Sequence, residues 1–347
     1  MASASDYMDY AIQLAKKGKG FTSPNPMVGC VIVHNNTIIG QGWHQKAGAP
    51  HAEVNAIESV QEKELLKTAT LYVTLEPCSH YGRTPPCSSR IIQEGIPKVV
   101  VGCVDPNPKV AGSGILALSA AGCEVITGIR EQACKELNAA FFTRQRKHRP
   151  YVILKWAASQ DGFMAPLQKE RETHKVFWLT AAQAQQRAHQ LRAAIDVLLV
   201  GVQTVIDDDP LLNTRKWYGK SPQIAIIDPN HRIPKNARLL QHPNKVLYFT
   251  TQENPHIKGV SQIVLPFQQP VDELLAQLHQ KELTTLMVEG GAKTLQYFID
   301  ANLWDKCYKF VAPKTLGAGV KAPEIQHPFT LKEVLGPDQL WSASNTD

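Results

Sequence analysis

The chain has 347 residues, beyond the length at which a single hydrophobic core usually stops growing, so two domains are expected. Its composition, 43% hydrophobic and 20% charged, is that of a globular protein, and no apolar run reaches the roughly eighteen residues of a membrane span. A formal net charge of +6 is too mild over this length to indicate nucleic acid, and it suits an anionic small molecule equally well.

The N-terminus lacks a secretory leader's apolar segment, so the cytoplasm is the expected compartment. Residues 6–17 read as a helix capped by Ser5, with Tyr7, Ala11, Leu14 and Ala15 on one face. Val28–Val33 and Ile38–Trp43 predict a hairpin around Asn35 and Asn36. Pro50 opens a helix carrying Ala52, Val54, Ile57 and Val60, with Pro in the first turn. Thr70–Leu75 is a short buried strand that runs into a polar, Pro/Gly-rich loop. Cys87 to Glu94 reads as a helix ended by Gly95, and Val99–Val104 as the next strand. Leu116–Ala121, Val125–Thr127 and a long helix from about Arg130 complete a three-layer α/β domain.

The basic run Arg144 to Arg149 reads as a solvated helix end, and Arg149-Pro150 as the junction between a domain of residues 1–147 and one of residues 150–347. The second half begins with a strand, Tyr151–Ala157, then a helix over Thr180–Ala194. Val197–Val202, Ile224–Ile227, Val246–Phe249 and Leu286–Val288 follow as strands, with helices between several of them. This describes an open α/β sheet, a class that binds ligands at the C-terminal ends of its strands. Strand order is not readable from periodicity.

Seven cysteines, without secretory context, do not suggest a disulfide framework. Cys30, Cys103, Cys123, Cys134 and Cys307 fall in apolar or helical patterns and read as small core residues. Cys78 and Cys87 lie in the polar loop and stand apart.

With His51, those two cysteines form a donor set that zinc favours, and three protein ligands leave a fourth position for water. Glu53 supplies the carboxylate needed to move protons. Residues i and i+2 of a helix point roughly 200° apart, so His51 and Glu53 can share one site only where a helix begins. Cys87 also begins a predicted helix, whose free N–H groups favour a thiolate. Zinc lowers the pKa of bound water to about 7, which allows hydrolysis at neutral pH. His-x-Glu followed by Pro-Cys and a second Cys is a signature of zinc nucleobase deaminases, although eight residues rather than two separate the cysteines here. A structural zinc would need a fourth protein ligand, for which His80 is the only nearby candidate, and His-x-Glu alone arises easily by chance.

The stretch from Glu76 to Cys87, EPCSHYGRTPPC, is more specific than the ligands alone. Together with Ser23-Pro24-Asn25-Pro26-Met27-Val28-Gly29 and Asp105-Pro106-Asn107-Pro108, it closely resembles the bifunctional riboflavin-biosynthesis deaminase/reductase family, over essentially the whole chain. The resemblance implies an α/β fold with an N-terminal cytidine-deaminase-like three-layer domain and a C-terminal dihydrofolate-reductase-like domain. It implies deamination of a diaminopyrimidinone carrying ribose 5-phosphate, then reduction of the ribosyl group to ribityl with NADPH. It also implies a small phosphorylated pyrimidine as partner, and a homo-oligomer, dimer or tetramer.

Residue by residue, the resemblance makes His51, Cys78 and Cys87 the zinc ligands and Glu53 the proton shuttle. Asn25, His44, Arg83, Asp105 and Asn107 fall where the family contacts base or phosphate. Arg83 suits bidentate phosphate recognition, with a solvated loop arginine as the plainer reading. Asn25, between two prolines, also reads as a turn residue. In the second half, Ala157, Trp178, Thr180, Thr204, Asp208, Gly290 and Gly291 correspond to cofactor contacts, and Arg192, Leu212, Arg215 and Glu289 to substrate contacts. The backbone N–H groups after Glu289 suit a dinucleotide phosphate, although Gly290-Gly291 alone also reads as a tight strand-to-helix turn. Asp207–Asp209 before Pro210 also reads as a polar turn. Arg192 and Arg215 are expected to grip the substrate phosphate. Glu289, Lys155 and Asp208 are each candidates to assist the reduction, and the sequence does not choose among them. Lys155 also reads as a solvated amine at a sheet end. Val176 and Pro229 depart from the family pattern near the expected cofactor contacts.

Two other readings compete. One is an RNA-acting or nucleoside zinc deaminase whose C-terminal domain only binds; it predicts a basic or aromatic strip that is not evident. The other keeps the deaminase and makes the second half a non-catalytic scaffold for oligomerisation.

Overall fold

The computed structural model describes residues 2–79, 85–107, 111–170, 177–242, 244 and 246–345. The chain divides into two compact units, Met1–His148 and Arg149–Asp347. Among the described residues no helix is long and apolar enough to cross a membrane.

In the first unit, α1 (Ala4–Lys16) starts earlier than its pattern predicts, because Ser3 rather than Ser5 is the cap. Ser3 Oγ accepts from Asp6 N at 3.3 Å and Asp6 Oδ2 accepts from Ser3 N at 2.8 Å, a reciprocal capping box. β1 (Gly29–His34) and β2 (Thr37–Trp43) form the expected hairpin, with Asn35 and Asn36 both left-handed at φ 47° and 61°. Then come α2 (Ala52–Ser59), β3 (Thr70–Leu75), α3 (Cys87–Gln93), β4 (Lys98–Cys103), α4 (Ser113–Ala120), β5 (Glu124–Thr127), α5 (Glu131–Leu137) and α6 (Ala139–Lys147). Pro50 does not lie in the first turn of α2; His51 is the N-cap.

The five strands run in the order β2-β1-β3-β4-β5, antiparallel about β1 and parallel from β3 to β5. Two glycines show how closely helices cover both faces. A Cβ on Gly29 would lie 2.0 Å from Ala11 O of α1, and one on Gly42 2.6 Å from Ala52 O of α2. Gly42 pairs with Cys30, the residue after Gly29, and successive strand residues point to opposite faces, so α1 and α2 sandwich the sheet. Met8, Ile32, Ile57, Leu71, Ile91 and Val99 are fully buried in this unit's core.

The long helix expected from Arg130 is broken. Asn138 separates α5 from α6 because its side chain binds both backbone groups of Met27, accepting from N at 2.8 Å and donating to O at 2.9 Å. Cys30, Cys103 and Cys134 are buried as expected, but Cys123 is only half-buried. The basic run is not all solvated either. Arg149 is buried and forms two bonds to Asp305, at 2.6 and 2.8 Å.

The second unit contains β6 (Tyr151–Ser159), β7 (Phe163–Ala165), α7 (Ala182–Arg192), β8 (Val197–Gly201), α8 (Val202–Asp208), β9 (Gln223–Ile227), β10 (Val246–Thr250), β11 (Val260–Val264), α9 (Pro270–Gln280), β12 (Thr285–Gly290), α10 (Ala292–Asp300), β13 (Lys306–Ala312), β14 (Val320–Lys321), β15 (Thr330–Leu335) and β16 (Asp338–Ser344). Nine of these strands form one sheet in the order β11-β10-β9-β8-β12-β6-β13-β16-β15. It is parallel from β11 to β13, and β16 and β15 extend it antiparallel. β8 and β10 are buried at every position, as strands covered on both faces should be. The chain lays β6 first, moves outward from β8 to β11, then returns to insert β12 between β8 and β6. That reversal makes a crevice at the strand ends, where open sheets of this class bind ligands.

Candidate active sites

The first site forms where α2 and α3 begin. His51 has extended backbone, φ −72° and ψ 166°, which frees its side chain from helical geometry and lets it face the same point as Glu53. Cys78 follows β3, and Cys87 is the first residue of α3. Ser88 closes the loop between the cysteines by donating its N–H and hydroxyl to Cys78 O, at 3.1 and 3.0 Å.

His51 Nδ1 lies 3.3 Å from Cys87 Sγ and 3.6 Å from Cys78 Sγ, and all three ligand atoms lie within 4.8 Å of one another. Ordinary Zn–S and Zn–N bonds at a tetrahedral angle put sulfur and nitrogen about 3.6 Å apart. The donor set therefore fits zinc in both kind and spacing. Cys87 N–H points at Cys78 Sγ, 3.3 Å away, and the hydrogen bond from the Cys87 thiol is the largest influence holding the Cys78 thiol below its ordinary range. Glu53 is 3% exposed. Burial, and then the negative charge of Cys78, push its carboxyl up to about 7. A proton at that position exchanges readily near neutrality.

His44 and Asn25 form a fixed pair beside this centre. His44 Nδ1 is 3.1 Å from Pro50 O, which can only accept, so that nitrogen carries the ring proton. Nε2 is then an acceptor, 3.3 Å from Asn25 Nδ2. Burial keeps the ring neutral by lowering its pKa. His44, expected to contact substrate, thus uses both ring nitrogens on protein and acts on Asn25.

Asp105 Oδ1 accepts from Asn107 N at 2.8 Å, shaping the turn that carries both residues. Glu76, for which the sequence suggested no role, anchors this segment. Its carboxylate accepts from Asp105 N at 3.1 Å, Gly112 N at 3.0 Å, Gly114 N at 2.9 Å and Ile115 N at 3.4 Å. The sequence signal is the acid directly before Pro77-Cys78, and the structure buries it. Arg83 and His80 lie outside the described residues, as does Val176.

The second site is a cavity of about 320 Å³ at the strand ends of the second unit. It brings together Lys155, Ala157, Trp178, Thr180, Arg192, Thr204, Asp208, Leu212, Arg215 and Glu289, which the sequence separates by more than a hundred residues. Gly290 and Gly291 are not in its wall; they follow Glu289 at the β12–α10 turn, where Gly290 takes φ 136°. Pro229 lies just after β9 and accepts from Thr251 Oγ1 at 2.8 Å.

Two expectations change here. Arg192 is not free to grip a phosphate bidentately, because its Nε and Nη2 bind the two oxygens of Glu289 at 2.8 and 2.6 Å. Lys155 is not a solvated amine; its Nζ is 3.7 Å from Glu289 Oε2, and burial lowers its pKa against the pull of Glu289. Burial also opposes ionisation of Glu289, but Arg192 and Lys155 outweigh it and leave the carboxyl at about 2. Glu289 is therefore a permanent anion near neutrality and cannot donate a proton there. His189, which the sequence did not single out, is in the same wall and only 3% exposed.

Two family models match the chain. That of the cytidine and deoxycytidylate deaminase zinc-binding region matches residues 1–103, and that of the RibD C-terminal domain matches residues 150–334. Riboflavin biosynthesis protein RibD of Aquifex aeolicus (strain VF5) is 43% identical, over 92% of this chain and 90% of the relative. That of Escherichia coli (strain K12) is 36% identical, over 96% of each. Acinetobacter baumannii RibD superposes with a TM-score of 0.89 at 37% identity, covering 99% of both chains. The diaminohydroxyphosphoribosylaminopyrimidine deaminase/5-amino-6-(5-phosphoribosylamino)uracil reductase of Thermotoga maritima does so with 0.87 at 35%, covering 98% of both. A second half without catalytic function is not favoured, since that half matches the RibD C-terminal domain and these relatives extend through it.

Proposed function

The chain belongs to the RibD family, and on that premise we propose that it is a bifunctional enzyme of riboflavin biosynthesis, a zinc-dependent deaminase followed by an NADPH-dependent reductase. The first unit takes diaminohydroxyphosphoribosylaminopyrimidine and releases ammonia by hydrolysis. The second takes the product, 5-amino-6-(5-phosphoribosylamino)uracil, and reduces its ribosyl group to ribityl. The observation that carries this most directly is the zinc-like spacing of His51 Nδ1, Cys78 Sγ and Cys87 Sγ, with Glu53 buried beside them.

When bound, zinc would supply a water acidic enough to attack near neutrality, and NADPH would supply hydride. His51, Cys78 and Cys87 would hold the metal. Glu53 would take one proton from the attacking water and deliver it to the ring nitrogen, then take the second proton of that oxygen and deliver it to the departing amine. Asn25, oriented by His44, would position the pyrimidine, with Asp105, Asn107 and Arg83 as further contacts. In the second unit, Ala157, Trp178, Thr180, Thr204, Asp208, Gly290 and Gly291 would bind NADPH. Leu212 and Arg215 would hold the substrate, and Arg192 would fix Glu289 beside it. Of the three candidates to assist reduction, Lys155 is the one whose buried ammonium is best suited to give up a proton.

Two thiolates must stay reduced to hold a metal, which supports a cytoplasmic location. The same proposal includes self-association, to be read by analytical ultracentrifugation. Zinc content and ammonia release with the diaminopyrimidine ribotide test the first activity. NADPH oxidation with the deaminated product tests the second. A folded, zinc-loaded protein that releases no ammonia and oxidises no NADPH with these compounds overturns the proposal.

A further inference from the structure

We propose that His189 is a ligand for the substrate's phosphate, acting with Arg215, and that it makes the reductase selective for phosphorylated over unphosphorylated substrate. The proposal rests on the reductase reading above.

His189 and Arg192 are three residues apart on α7 and so share one helix face, which forms part of the cavity wall. Among the described residues the His189 ring has no hydrogen-bond partner. Its Nδ1 is sealed from solvent without a partner, so Nε2 is the nitrogen left to the cavity. An unpaired buried donor costs more than a nitrogen left bare, so the ring proton belongs on Nε2, where a ligand in the cavity can accept it.

The surroundings define the ligand. Arg192, Arg215 and Lys216 all act electrostatically on the ring, against the single negative charge of Glu289. Glu289 is already bound by Arg192 and faced by Lys155. Arg215 makes one side-chain bond, to Asn213 Oδ1 at 3.0 Å, and leaves the rest of its fork available. Arg238 lines the same cavity, as do Asp208 and Asp209. Around the His189 ring itself the excess is cationic, three cations against Glu289, and an anionic phosphate monoester suits that end of the cavity. Burial, then Arg192 and Arg215, lower the His189 pKa to about 4, so the ring is neutral. It therefore offers an N–H donor without adding to the positive charge, a role that a fourth cation could not fill without further repulsion.

The full-length enzyme is assayed for NADPH oxidation with 5-amino-6-(5-phosphoribosylamino)uracil and with the same compound lacking its phosphate. His189→Leu should lower the ratio of kcat/KM for the two compounds by about 10- to 100-fold, the value of a hydrogen bond to a charged group. The inhibition constant for inorganic phosphate should rise in parallel. His189→Gln, which keeps a neutral N–H, should recover most of both. An equal loss on the two compounds, or a Gln variant no better than Leu, overturns the proposal.

Should the Leu variant not fold, ¹⁵N-histidine NMR of the wild type decides. Inorganic phosphate should shift the one imidazole that is missing from the His189→Gln spectrum, and a silent His189 signal overturns the assignment. Wild-type turnover in the same assay tests the reductase reading separately.

Discussion

Glu289 and Arg192 meet in a two-point clamp inside the second unit, Oε1 to Nε at 2.8 Å and Oε2 to Nη2 at 2.6 Å. The folded carboxyl lies at about 2, below its unfolded value, despite a burial penalty that acts the other way. Its contribution is therefore present above the unfolded pKa and is lost as pH falls from about 5 to 2, at most roughly 3 kcal/mol. Urea unfolding of the second unit across that range should show this slope, and Glu289→Gln should flatten it. A variant with the wild-type slope contradicts the account.

Glu53→Gln should keep zinc but lose ammonia release by about 10²- to 10⁴-fold, the usual contribution of a positioned acid–base group. NADPH oxidation on supplied deaminated substrate should continue. Metal analysis and the two assays check this together. Loss of both activities in a folded variant rules out separate sites.

Stripping metal with a chelator should abolish deamination and leave reduction intact, since the three ligand atoms belong wholly to the first unit. Cys87→Ala should do the same irreversibly, with zinc content near zero. Parallel loss of NADPH oxidation in either experiment would place the metal's role elsewhere.

Arg149 and Asp305 form a buried pair, and Asp305 Oδ2 also accepts from Val152 N at 2.8 Å. Removing one partner leaves a buried charge uncompensated, a loss of about 3–5 kcal/mol. Arg149→Met should therefore lower the temperature at which reductase activity is lost by about 10 °C, and Arg149→Met with Asp305→Leu by less. Thermal inactivation curves for the three proteins measure it.

The metal centre was legible in the sequence because it rests on residue chemistry within forty positions, and a ligand set is recognised by its donors. What escaped depended on distant partners. The break at Asn138 is caused by Met27, and the start of α7 is capped by Asp338 Oδ2, which accepts from Ala181 N at 2.7 Å. Neither contact leaves a trace in local periodicity. The insertion of β12 between β8 and β6 is likewise a pairing fact, and β15, mostly exposed at the sheet edge, carries little apolar pattern to read. Arg192 shows the limit for charges. Read alone, it was a phosphate grip; its closeness to Glu289, 97 residues away, gives it another task.

The ring proton that Pro50 O holds on His44 settles more than that one imidazole. With Asn25 bound to the bare nitrogen through its amide NH₂, the carbamoyl group cannot flip without setting two donorless atoms face to face. Its free end is consequently always an oxygen. If Asn25 positions the pyrimidine as proposed, that heterocycle would have to bring an N–H edge, and isomers that differ only in where hydrogen sits on the ring would be sorted before any bond is broken.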